Sequence, residues 1–323
     1  MIILAFETSC DDTSIALFKN TELLAMDTKS QIKVHNLTGG VVPEIAAREH
    51  ANSIFEVLET VLSDTSYELN QIDHIAVTAK PGLMPSLLTW LTVARTLGFM
   101  YDIPVLEIDH IQAHIFANYL ERQETEITYP LVCLTVSGWH NEIYYKQSMF
   151  QWEKIGATQD DAAGEAFDKV AKMMWLWYPW WPIISKLASE HTPSNKESLF
   201  PRVWLTKKEN NFSFSWLKSA VKREVDKRWE LTSDDKKEIA YEFQKAVIEV
   251  LSYKLIQAWN AYEVDTVMLA WGVWANNLLR EEIQKQADKN NMKFMYPKKL
   301  GYCMDNAAMI GIMAYYQIKK QEW

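Results

Sequence analysis

Apolar and polar positions recur along this chain with two periods, and the switches between them mark its elements. Ile2–Glu7 is an apolar run closed by a carboxylate, and Thr13–Lys19 and Glu22–Thr28 follow after short polar turns, so all three read as strands. From Pro43 the spacing becomes helical: Ile45, Ala46, His50, Ile54 and Leu58 fall on one face, with the proline near the start. His74–Thr78 then reads as a strand, Ser86–Phe99 as a helix, Pro104–Ile108 as a strand, and about His110 to Glu121 as a helix.

The second part repeats that order. Leu131–Val136, Glu142–Gln147 and Trp152–Ala157 read as strands, and after an irregular insertion comes a long amphipathic helix, about Lys237–Tyr262. Strand Thr266–Ala270, helix Asn277–Lys289, short strand Lys293–Tyr296 and a last helix near Asp305–Lys319 complete the chain. Three strands, helix, strand, helix, strand, helix, written twice, predicts an α/β protein with a duplicated sheet unit and a ligand cleft between two lobes.

Composition narrows the class without naming a reaction. The chain has 323 residues, 48% hydrophobic and 23% charged, which suits a globular protein of two lobes. The sequence has no membrane-length apolar run and no signal-peptide pattern at its start, and Cys10, Cys133 and Cys303 are far apart and odd in number. A cytoplasmic protein with reduced thiols is expected. The net charge of −9 means that a nucleic-acid partner needs a local basic patch or a helper subunit. One such run is Lys218, Lys222, Arg223, Lys227 and Arg228, either plain solvated surface or a phosphate contact.

Candidate chemistry lies mostly in the turns. In each half the first strand enters a polar turn before the second: Glu7 to Ser14, and Val136, Ser137, Gly138, Trp139 and His140. Hydroxyls and free N–H groups in such a turn make a phosphate cradle, and an ordinary hairpin turn is the plainer alternative. His110 and His114, at i and i+4, put two imidazoles on one helix face, close enough to share a metal. Gln112 and Ala113 between them offer no general base, unlike the zinc-protease helix. Glu165, Asp168 and Lys172 share one helical side, as an ion-paired surface or part of a site. Asn276, at a strand-to-helix turn, either caps the helix or binds a ribose or base.

Eight segments, in order, together resemble the TsaD family: ETSCDDTSIAL (7–17), GGVVPEIAAREH (39–50), DHIQAH (109–114), VSGWH (136–140), DDAAGEAFDKVAK (160–172), FSFSWLK (212–218), WGVWANNLLR (271–280) and CMDNAAMIG (303–311). The resemblance implies a duplicated actin-like (ribonuclease H-like) fold with βββαβαβα lobes. It places one lobe at residues 1–108 plus about 305–323 and the other at 109–304, with an insertion at about 160–235. It also implies that His110, His114 and Asp305 hold Fe²⁺ or Zn²⁺. The 136–140 turn (Val136, Ser137, Gly138, Trp139), Asp168, the 180–185 turn with Trp181 and Ser185, and Asn276 would hold the activated adenylate. The implied reaction transfers threonylcarbamoyl from threonylcarbamoyl-AMP to N6 of adenosine 37, in tRNAs reading codons that start with A. The implied partners are a TsaB-like paralogue and a TsaE-like ATPase.

The chain departs from that pattern in a consistent way. Where the family has glycine, tryptophan stands at 90, 139, 175, 180, 181, 216 and 271. Ten glycines is about 3% of the chain against a usual share of roughly 7%, and with fourteen tryptophans the sum of 24 restores the usual count. A UGA codon that means glycine to the cell, read as tryptophan, produces this pattern; Trp152, Trp204, Trp229, Trp259 and Trp323 fit either residue. Lys80 and Pro85, where the family tends to glycine, are not explained this way. The competing class is a non-catalytic actin-like scaffold with Trp139, Trp180 and Trp181 filling its nucleotide site, and a third reading is a sugar or acetate kinase of the same fold. Retention of His110, His114 and Asp305 favours the transferase, because neither alternative has use for the three.

Overall fold

The computed structural model describes residues 1–176, 180–193, 198–202, 209–270 and 277–321. Two compact units emerge, residues 1–127 with 297–323 and residues 128–296. In the first, β1 (Ile2–Glu7), β2 (Asp12–Lys19) and β3 (Glu22–Ser30) form an antiparallel meander. β4 (His74–Lys80) and β5 (Val105–Asp109) add in parallel beyond β1, giving the order β3-β2-β1-β4-β5. Antiparallel hairpins need only tight turns, whereas the parallel additions need helical crossovers. These are α2 (Pro43–Thr65) and α3 (Met84–Tyr101), both with proline in the first turn. A short helix that the spacing did not predict, α1 (Ile32–Thr38), sits between β3 and α2.

The second unit repeats the plan. β6 (Leu131–Val136), β7 (Asn141–Lys146) and β8 (Trp152–Ala157) are antiparallel, and β9 (Thr266–Ala270) and β10 (Lys293–Met295) add in parallel on the far side of β6. The order β10-β9-β6-β7-β8 is the first sheet's order read backwards. This is a duplicated actin-like fold. Central strands β1, β6 and β9 are buried on both faces, as their unbroken apolar runs require.

Three expectations change. The helix predicted from His110 to Glu121 is only α4 (His110–Phe116), followed by a 3-10 turn at Ala117–Tyr119. Helical geometry ends at Leu120, which is extended (φ −60°, ψ 131°), and the chain leaves through Glu121 at a positive φ of 56°. The expected turn at 180–185 is the first part of a helix, α6 (Trp180–Ser189), where Pro182 falls within the first turn and its missing N–H costs nothing. Finally, the unit boundary lies at 127/128 and 296/297 and not at 108/109 and 304/305. The reason is that β5 runs straight into α4, which packs on the last helix, α10 (Ala307–Gln321), and so belongs to the first unit.

The insertion in the second unit is helical. It holds α5 (Ala163–Met173), α6 and α7 (Ser215–Arg228), and leads into α8 (Ser233–Tyr262), which opens on a Thr232/Asp235 capping box. α9 (Asn277–Lys289) links β9 to β10.

Candidate metal centre

The first unit gathers its chemistry where β1 and β5 end. Asp109 closes β5 and caps α4, its carboxylate accepting the Gln112 N–H at 3.1 Å, so the helix starts with His110 aimed inward. One turn later His114 lies on the same face. From the other end of the chain, Asp305 arrives just before α10. The Nε2 atoms of the two histidines are 3.2 Å apart, and Asp305 Oδ1 stands 3.1 Å from that of His114 and 3.6 Å from that of His110. Both rings are buried, and the Asp305 side chain is 21% exposed.

These spacings fit a metal. Ligand atoms about 2.1 Å from a tetrahedral ion lie roughly 3.4 Å from one another, and two imidazole nitrogens with one carboxylate oxygen are a borderline-hard set suited to zinc or iron. All three atoms lie within 4.8 Å of one another, the one such group among the described residues. A carboxylate at the mouth leaves the site a wet side.

A second layer stands behind the histidines. Glu7, fully buried at the end of β1, accepts the Nδ1–H of His110 on Oε2 at 3.0 Å. Ser9 Oγ is 3.5 Å from His110 Nε2. Burial alone would lower the His110 pKa, but the carboxylates of Glu7 and Asp305 outweigh it and hold it up to about 9. His114, deeper, is pushed down to about 4 by burial, with Asp305 opposing. Beside them burial pushes the Asp12 carboxyl up to about 7, against a hydrogen bond from Ser30. Glu7 and Ser9 were visible only as members of a polar turn; the one signal for Glu7 was a carboxylate closing an otherwise apolar strand.

In the second unit, the 136–140 turn is tied to the start of α5. Gly164 N–H donates to Ser137 O at 3.2 Å, and Ala163 N–H donates to Asn141 Oδ1 at 3.1 Å. A Cβ on Gly164 would meet Gly138 Cα at 2.5 Å and Ser137 O at 2.6 Å, so only glycine allows this approach. Two N–H groups expected to be free for a phosphate, those of Trp139 and His140, donate to Ser137 Oγ at 3.1 and 2.8 Å. Val136 is buried at the end of β6, and the indole of Trp139 is 68% exposed. On α5, burial pushes Asp168 up to about 7, with Lys172 lowering and Glu165 raising it. Ser185, on α6, is 2.9 Å from Gln244 Oε1 of α8 and donates to it. Asn276 and Trp271 lie outside the described residues, as do the side chains of Trp180 and Trp181. The basic run on α7 is largely neutralised: Lys218 pairs with Asp161, Lys222 with Asp226, and Arg228 with Glu224, Asp235 and Glu238.

With this geometry in place, likeness to known proteins narrows the reading. The sequence model of the TsaD family, tRNA N6-adenosine threonylcarbamoyltransferase, matches residues 22–312. The chain belongs to the TsaD family. A tRNA N6-adenosine threonylcarbamoyltransferase of Staphylococcus haemolyticus (strain JCSC1435) is 44% identical over 321 residues, 98% of this chain and 91% of that protein. One of Staphylococcus aureus (strain JH9) is 42% identical over 319 residues, with the same two shares. Among solved structures, full-length HypF in a phosphate- and nucleotide-bound form matches with a TM-score of 0.65 at 13% identity, over all of this chain and 47% of HypF. Component A of the (R)-2-hydroxyglutaryl-CoA dehydratase of Acidaminococcus fermentans matches at 0.53 and 12% identity, over 99% of both chains. At such identities the likeness is one of fold, and it agrees with the duplicated TsaD architecture.

Proposed function

We propose that this chain is an acyltransferase forming N6-threonylcarbamoyladenosine. It moves the threonylcarbamoyl group from threonylcarbamoyl-AMP to N6 of adenosine 37 in tRNAs that read codons starting with A. Membership of the TsaD family supports the reaction class. The observation that carries a metal-dependent route is the convergence of His110, His114 and Asp305 ligand atoms within 4.8 Å. These three residues hold one Fe²⁺ or Zn²⁺ ion. Bound there, the ion supplies Lewis-acid stabilisation for charge developing on the carbamoyl oxygen. The protein's own part is to present two buried imidazole rings and one half-open carboxylate, and to exclude water from the inner side of the site.

In the second unit, the 136–140 turn, Asp168 and α6 with Trp181 and Ser185 are the proposed adenylate contacts, with Asn276. The burial-raised carboxyl of Asp168 can donate or accept a hydrogen bond near neutral pH. Among the described residues no helix is long and apolar enough to cross a membrane, and a tRNA substrate supports a cytoplasmic location. Because the net charge is −9 and the α7 cations are mostly paired, tRNA delivery calls for helper subunits. The proposed helpers are a TsaB-like paralogue and a TsaE-like ATPase. Phe55 on α2 and Leu88 and Phe99 on α3, each more than half exposed, support a protein partner for this unit.

His110→Ala tests the reading. Loss of bound iron or zinc and of threonylcarbamoyl transfer, with the circular dichroism spectrum unchanged, is the expected result. Transfer at the parent rate in that variant overturns the metal route. A scaffold would bind no ion at all.

A further inference from the structure

We propose that Glu7 is a positioning residue that fixes how His110 presents itself to the metal; this rests on the metal reading above. Glu7 does not reach the ligand atoms themselves. Its carboxylate instead takes three donors: His110 Nδ1–H at 3.0 Å and Thr78 Oγ1–H at 2.6 Å on Oε2, and Ser9 N–H at 2.6 Å on Oε1. The Ser9 N–H belongs to the backbone and cannot turn away. With both oxygens committed as acceptors, the Nδ1 of His110 must carry a proton, which leaves Nε2 as the coordinating atom facing His114 and Asp305.

The full burial of Glu7 gives the arrangement its force, because no water can replace a lost partner. Glu7→Gln keeps the shape and breaks the logic. An amide NH₂ at the Oε1 position would meet the Ser9 N–H, and at the Oε2 position it would meet the His110 Nδ1–H. The second conflict is relieved by moving the His110 proton to Nε2, which removes the ligand. A pair that merely tied β1 to α4 would have no such effect on an ion.

The test is Zn²⁺ titration of the full chain against a competing chelator, with thermal midpoints measured in EDTA. The expected result is a 10- to 100-fold weaker Zn²⁺ affinity in Glu7→Gln, a typical loss for such a partner of a ligand, with the EDTA midpoint within a few degrees of the parent. Thr78→Val, which removes one donor and leaves the carboxylate, should weaken Zn²⁺ less; if Glu7→Gln fails to fold, any loss of affinity in Thr78→Val still carries the proposal. Equal affinity in parent and variants overturns the role of Glu7 alone. A parent chain that takes up no Zn²⁺ or Fe²⁺ overturns the metal reading itself.

A separate observation concerns the tryptophans. We infer that positions 175 and 229 are glycine in the protein its own cell makes. Trp175 follows α5 with φ of +54°, where Leu176 N–H donates to Ala171 O at 3.0 Å, closing the left-handed C-terminal turn in which glycine is usual. Trp229 follows α7 at φ 56°, ψ −54°, with Glu230 N–H donating to Arg228 O at 2.6 Å: a three-residue turn of the hand that side chains resist. Neither indole compensates by packing, since they are 66% and 90% exposed. Trp259 behaves otherwise, buried with its indole N–H donating to Asn260 Oδ1 at 2.7 Å, and fits a true tryptophan. Trp90 is buried too, but its indole N–H has no acceptor among the described residues. The test is fragment-ion sequencing of the peptides covering 173–186 and 229–236 from protein isolated from its native cells. Glycine at 175 and 229, with tryptophan at 259 in its own peptide, is expected. Tryptophan at both 175 and 229 overturns the inference.

Discussion

Lys146 is a lysine whose charge is costly to bury. It is fully buried on β7, its ammonium over the Trp152 ring at 4.6 Å, and burial pulls it down to about 7 with Cys133 opposing. The sign of the pH effect follows. Below about pH 7 the folded and unfolded chains are both charged, and the fold bears the full cost of burying the ammonium. Between there and the usual lysine range, the unfolded chain holds the extra proton, so stability rises with pH. Lys146→Met should therefore exceed the parent most at pH 7 or below, with the difference shrinking toward pH 10. At about 1.4 kcal/mol for each pH unit of displacement, the gain has a ceiling of roughly 4–5 kcal/mol. Urea unfolding at pH 6.5 and 9.5 measures it, and a difference independent of pH would refute the account. Nothing in the sequence marked this lysine, since a strand of mixed polarity does not reveal which face is dry. The histidine pair was legible because i and i+4 on a helix is a geometric statement in itself. Asp305 was legible only through the family resemblance, because a partner at a separation of 191 positions leaves no local trace.

Among elements, the contact between the 136–140 turn and α5 is a tight backbone joint. Gly164→Ala drives a Cβ into the Gly138 backbone at 2.5 Å, and backbone has no rotamer by which to yield. A loss of about 1–3 kcal/mol is expected, as for other overpacked sites. Adenylate binding should fall with it, because the turn must shift. Calorimetry and nucleotide titration on one preparation check both, and an unchanged melting point would mean that the turn gives way freely. At this scale the sequence was a good guide to strands and a poorer one to helix ends. The ten described strands follow from apolar or mixed runs bounded by turns. The end of α4, the start of α6 and the existence of α1 depend on packing and on the extended backbone of Leu120, which periodicity does not encode.

For the whole molecule, the first unit is sewn together from both ends of the chain: β1 to α4 come early, and α10 returns from residue 307. An ion bridging His110, His114 and Asp305 would clasp those two segments and stabilise the folded state by mass action. At a free ion concentration of a hundred times Kd the gain is about 2.7 kcal/mol. Chelation should then lower the thermal midpoint of the parent and leave that of Asp305→Ala unmoved. Equal effects on both would place the ion elsewhere.

That same stitching sets an order of assembly during protein synthesis. The two histidines leave the ribosome long before Asp305 exists, so a nascent chain carries a two-toothed grip that releases what it catches. On the proposed metal reading, a three-residue grip would exist only once the segment carrying Asp305 has come back beside His110 and His114. An ion held by all three residues would thus mark a chain whose Asp305 segment has been made and has come back to the two histidines.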